Sequence, residues 1–142
     1  MNSISIDPYK IGLSSTPIGC VLFRDLDNKD QLIDVINKPS TNHIGILESY
    51  ETIQYLGTDG FKAMVKGCIE NTRRLVSCMV NVLEYQLVTD PLLNISTYYN
   101  AKISDNWHTT RTSEGYLKFV TMPHITRNTI ESFIYDIIKM NE

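Results

Sequence analysis

The sequence predicts an α/β protein. Three patterns point there: two short β-like runs near the start, a long middle stretch with apolar residues every three or four positions, and a last third in which β-like runs precede an amphipathic helix. With 142 residues, 42% of them hydrophobic and 20% charged, the chain can bury a core and does not read as a disordered tail.

Ser3 to Ile6 alternates Ser and Ile, the period of a strand, and Asp7-Pro8 ends the run because proline has no N–H for a ladder. Gly12 to Pro17 reads as a polar turn and Ile18 to Phe23 as a second strand, so the two form a hairpin. Arg24 to Lys38 reads as a polar loop or short helix, ended by Pro39 and Ser40. Ile46, Leu47, Tyr50, Ile53 and Leu56 then mark a helix, with Gly57 as the residue after its end. Thr58 or Asp59 can cap a longer helix whose apolar stripe runs from Phe61 through Met64, Cys68, Thr72, Leu75 and Met79 to Leu83. Leu92 to Tyr98 and Tyr116 to Thr121 read as strands, with Trp107 to Thr112 a third between them. Thr126 stands at the N-cap of a final helix that buries Ile130, Phe133, Ile134, Ile137 and Ile138. The expected division falls after the long helix, giving residues 1–86 and a small α/β domain, 87–142.

The charge balance excludes one class of partner. Thirteen Lys and Arg against sixteen Asp and Glu leave −3, and the densest cationic pair is Arg73-Arg74, so no basic patch awaits nucleic acid. No apolar run reaches the roughly 18 residues of a membrane helix, and the first residues lack a signal peptide's pattern. A cytoplasmic protein without a membrane partner is expected. Cys20, Cys68 and Cys78 are expected as buried thiols; with His43, His108 and His124 they show no metal-ligand spacing, and no metal is expected.

One residue stands where chemistry is feasible. Lys10 lies on a strand-to-loop corner, behind a rigid proline and ahead of small residues. A lysine amine is a poor nucleophile while protonated near its usual pKa of about 10.4. Desolvation at a buried corner, or a nearby cation, would lower that value and free the lone pair for Schiff-base chemistry.

The segment SISIDPYKIGLSSTPIGCVLFRD resembles the lysine motif of group II pyridoxal-phosphate-dependent decarboxylases and is most similar to the archaeal L-tyrosine/L-aspartate decarboxylase branch. The likeness resumes at Gln54 to Phe61, at Glu70-Asn71-Thr72, and at Val120-Thr121-Met122-Pro123-His124-Ile125 leading into Ile130 to Ile134. This resemblance implies the C-terminal portion of a fold-type I enzyme: the end of the large domain within 1–86, then the small domain. It implies pyridoxal 5′-phosphate as cofactor, an amino acid as substrate, and Lys10 as the Schiff-base residue, with Asp7 and Tyr9 near the coenzyme phosphate. Relatives usually carry His where Tyr9 stands; Tyr9 can donate one O–H but cannot become cationic. Lys118 falls where relatives tend to have Arg, so it would hold a substrate carboxylate with a point charge instead of a fork. Relatives have a Gly-Thr-Arg-Ser-Gly-like segment where this chain reads Pro39-Ser40-Thr41-Asn42-His43-Ile44-Gly45, without the Arg. The chain starts just before the lysine block, so the upstream half of the site is expected to be absent from it. Two functions follow: an amino-acid decarboxylase that works only if another polypeptide supplies the missing half of the site, or a non-catalytic fragment or partner subunit that associates with a related decarboxylase. A homo-oligomer or association with a complementary decarboxylase chain is expected.

Overall fold

The computed structural model describes residues 3–10, 13–24, 43–99, 101–104 and 106–141. The expected loop at Arg24 to Lys38 lies, beyond Arg24, outside the described residues, as do positions 39–42 of the segment compared with the Arg-bearing motif. The chain forms two compact units, Met1–Phe61 and Lys62–Glu142.

In the first unit β1 (Ser3–Ile6) pairs antiparallel with β2 (Cys20–Phe23), in the register Ser3↔Phe23, Ile4↔Leu22, Ser5↔Val21 and Ile6↔Cys20. The hairpin is the expected one. Its second strand starts at Cys20, two residues later than Ile18. Successive residues of a strand point to opposite faces, and Val21 and Leu22 are both exposed, as are Ile4 and Ile6. Apolar residues on both faces are the composition of a strand made to be covered on both sides.

The helical span α1 (His43–Asn81) is interrupted at Gly57, whose φ of 57° and ψ of −172° are non-helical. The expected stop at Gly57 is therefore where the helical backbone breaks, at a left-handed φ that glycine adopts without a Cβ penalty.

The second unit holds an antiparallel sheet in the order β3-β5-β4, made of β3 (Ile95–Tyr98), β4 (Thr110–Arg111) and β5 (Leu117–Val120). Its core combines Leu75 and Met79 from the later part of α1, Tyr98 of β3, Ala101 beyond it, Leu117 of β5, and Ile130, Phe133, Ile134 and Ile137 of helix α2 (Arg127–Asn141). Tyr98, Phe119, Phe133 and Trp107 form a run of edge-to-face rings with centroids 5.2 to 5.9 Å apart. Because Leu75 and Met79 belong to this core, the helix after Phe61 groups with the α/β layer, upstream of the expected division at 86/87.

Two of the sequence blocks that carry the resemblance meet here. Asn71 Nδ2 donates to the Ile125 carbonyl at 2.8 Å, tying the long helix to the loop that follows β5. The buried Thr72 turns its hydroxyl back to the Cys68 carbonyl at 2.8 Å.

Candidate active site

The corner after β1 is a four-residue turn. Lys10 N–H donates to the Asp7 carbonyl at 2.9 Å, and Pro8 occupies the second position, where its fixed φ favours the turn. The turn brings Asp7 and Lys10 side chains together: Lys10 Nζ lies 2.6 Å from Asp7 Oδ2, with the two side chains 50% and 41% exposed. The ammonium also stands 5.2 Å from the centre of the Tyr9 ring. Asp7, Tyr9 and Lys10 thus gather at one solvent-facing corner.

Its electrostatics differ from the sequence expectation. A desolvated corner would depress the amine's pKa; here the hydrogen bond that the ammonium donates to Asp7, then hydrogen bonding to Tyr9, raises it above the ordinary lysine value. A carboxylate neighbour favours the charged amine and little burial opposes it.

Lys118 belongs to the other unit. On β5 it stands opposite Thr97 and Thr110, and Thr110 Oγ1 donates to its carbonyl at 3.1 Å. It lines a cavity of about 270 Å³ together with Trp107, His108, Phe119, Thr129 and Phe133. His108 and Thr109, which line the cavity ahead of Thr110, precede the start of β4 and its pairing with β5. Among the described residues no group of three His, Cys, Asp or Glu converges as a metal site, and no helix is long and apolar enough to cross a membrane.

A second polar cluster, unread in the sequence, lies on the loop after the lysine. Glu48 Oε1 accepts the Ser15 hydroxyl at 2.6 Å. Its Oε2 accepts the Ser15 N–H and the Ser14 hydroxyl, each at 3.0 Å, and the Thr16 hydroxyl at 3.4 Å. These donors, Ser15 first, hold the Glu48 carboxyl below the usual glutamate range. The sequence signal was only a hydroxyl run, Ser14-Ser15-Thr16, which reads equally well as a plain turn.

No protein-family model matches the chain. Among curated proteins, a probable L-tyrosine/L-aspartate decarboxylase of Methanocorpusculum labreanum is 37% identical, covering 99% of this chain and 41% of that one. The chain is a partial-length relative of the archaeal L-tyrosine/L-aspartate decarboxylases. A second of these, from Methanoculleus marisnigri, is 33% identical over 96% of this chain and 40% of its own length. A probable L-aspartate decarboxylase of Archaeoglobus fulgidus is 29% identical over 99% and 43%. The chain therefore spans about two fifths of the curated relatives it matches. The first alignment runs over 151 positions against the 142 residues here, so that relative carries residues this chain lacks. The fold agrees: the glutamate decarboxylase domain of a Vibrio parahaemolyticus diaminobutyrate-pyruvate transaminase and L-2,4-diaminobutyrate decarboxylase superposes with a TM-score of 0.67 at 18% identity, over 98% of this chain and 34% of that one. The architecture is thus a portion of the group II decarboxylase fold.

The described residues fit one end of the coenzyme that the resemblance implies. An accessible primary amine at Lys10 matches its aldehyde. For its phosphate, the hydroxyl and N–H donors nearest in sequence, Ser14 to Thr16, are already filled by the Glu48 carboxylate.

Proposed function

We propose that the chain is the C-terminal part of a pyridoxal 5′-phosphate-dependent amino-acid decarboxylase, with Lys10 as the coenzyme's point of attachment. The observation that carries this reading is the turn that presents the Lys10 amine, accessible and held in one direction, beside Asp7 and Tyr9. When bound, the coenzyme would supply an electron sink for the carbanion left by loss of CO2.

The chain's own residues have definable tasks. Lys10 must shed a proton before it can act as a nucleophile, and Asp7 Oδ2, its partner at 2.6 Å, favours the protonated state. The rest of the site must therefore draw Asp7 away or neutralise it on closing over the corner. Tyr9, 41% exposed, has one O–H to give to a phosphate oxygen. Lys118 would hold a substrate carboxylate through charge alone. In the whole enzyme, residues 1–86 would close the large domain and 87–142 form the small one. The remaining half of the site would come from further polypeptide, in an oligomer or a complementary chain in the cytoplasm.

The test is chemical trapping. The chain, alone and with a separately encoded N-terminal portion, is incubated with pyridoxal phosphate, reduced with borohydride and mapped by mass spectrometry. The expected result is one adduct at Lys10, lost in Lys10→Ala. Labelling scattered over exposed lysines counts against the reading.

A second reading is favoured by the exposed apolar hairpin and by the Asp7–Lys10 pair: a non-catalytic fragment or partner subunit that docks on a related decarboxylase. Stable association with such a chain, with no adduct at Lys10 in the complex, would select it.

A further inference from the structure

We propose that Glu48 is the positioning residue that sets the geometry of the Lys10 corner. Its value to a coenzyme-bearing amine rests on the function proposed above; the geometric coupling itself does not.

The coupling is built from two attachments to one short loop. At one end, Glu48 ties down all three hydroxyl residues, Ser14, Ser15 and Thr16, and the Ser15 N–H. At the other end, the Ser14 N–H donates to the Pro8 carbonyl at 3.2 Å, and Pro8 is the second residue of the turn that presents Lys10. Ser14 is the junction, only 5% exposed, with its side chain on the helix and its backbone on the turn.

The helix is shaped for this contact. Gly45 precedes Glu48 by three positions, so both lie on one helix face. A Cβ on Gly45 would stand 2.8 Å from Thr16 Oγ1 and 3.3 Å from Ser14 Oγ, so a larger residue there would push these hydroxyls from their places beside Glu48. The loop also carries strain. Leu13 has a φ of 59°, in the left-handed region that a branched residue occupies only when its surroundings hold it there. A free polar turn would relax Leu13. One fastened at Ser14 to both the helix and Pro8 cannot.

The test needs no coenzyme, so its failure and a failure to label Lys10 with pyridoxal phosphate are separate results. Lysines are reductively methylated with 13C-formaldehyde, and the Lys10 signal is assigned through Lys10→Arg and titrated by NMR. Glu48→Gln keeps the volume but turns an acceptor into a donor facing donors. The expected outcome is a Lys10 resonance displaced toward that of a free lysine, with its titration midpoint lowered as the Asp7 pair loosens, and loss of amide protection at Ser14 and Ser15. Ser15→Ala should give a smaller change of the same sign, and stays informative should Glu48→Gln fail to fold. Glu51→Gln, at an exposed position one turn on, should leave Lys10 unmoved. The proposal is overturned if the Ser14 to Thr16 amides shift while Lys10 does not, or if Glu51→Gln moves Lys10 as much as Glu48→Gln does.

Discussion

Tyr98 is fully buried at 0% exposure, yet its hydroxyl and the neighbouring Ser96 hydroxyl have no hydrogen-bond partner among the described residues. Burial pushes the phenol's pKa up to about 12, although Ser96 lies near enough to act against that rise. The two hydroxyls thus approach one another without good bonding geometry. An unsatisfied buried polar group costs about 1–3 kcal/mol. Tyr98→Phe keeps the ring against Phe119 and removes only the oxygen, so stability should be unchanged or higher by up to about 1 kcal/mol in urea unfolding. A clear loss would reveal a partner for the hydroxyl. The thiols divide by environment in a way that spacing could not show: Cys68 is buried and its pKa raised by that burial, whereas Cys20 and Cys78 are only partly buried, against the expectation of three buried thiols.

At the scale of elements, helix starts and stops were legible because they are local chemistry. Thr126 Oγ1 accepts the Thr129 N–H at 3.2 Å, as an N-cap should. Thr126→Ala should cost about 1 kcal/mol, read as a lower denaturation midpoint with an unchanged slope. An unaffected midpoint would mean that packing of Ile130 and Phe133 alone fixes the start of α2. Strand limits were less legible. The apolar run from Leu92 suggests a strand three residues longer than β3, but Asn94 intercepts it: its side chain donates to the Thr121 carbonyl at 2.9 Å and its carbonyl accepts the Thr121 N–H at 2.8 Å. Leu92 and Leu93 are left 91% and 64% exposed. Trp107 similarly leaves the expected third strand. Its indole N–H reaches Asp136 at 3.0 Å and its ring meets Phe133, so only Thr110–Arg111 pair with β5.

For the whole molecule, the exposed apolar surface matters most. Ile4, Ile6, Val21 and Leu22 on the hairpin, and Ile44, Ile46, Leu47, Tyr50 and Ile53 on the first part of α1, are each more than 40% exposed. A two-stranded sheet is marginal alone, and such surface favours association. The chain should therefore sediment as an oligomer or bind a complementary chain. Leu22→Lys should weaken that association at least several-fold in analytical ultracentrifugation, because it sets an unpaired charge in the buried face. An unchanged distribution of species would place the interface elsewhere.

The sequence by itself determined the α/β class, the hairpin, the break at Gly57, the cap at Thr126 and the decarboxylase kinship, because periodicity, turn chemistry and motif order are written in neighbouring residues. It also brought Asp7, Tyr9 and Lys10 together, since a turn with proline at its second position is a local event. Only the tertiary structure decided the partners of Ser14 to Thr16 and where β3 and β4 end. Those depend on groups distant along the chain: Glu48 lies 34 positions beyond Ser14, and Asp136 lies 29 beyond Trp107. A carboxylate's choice of donors is settled by which backbone folds back upon it.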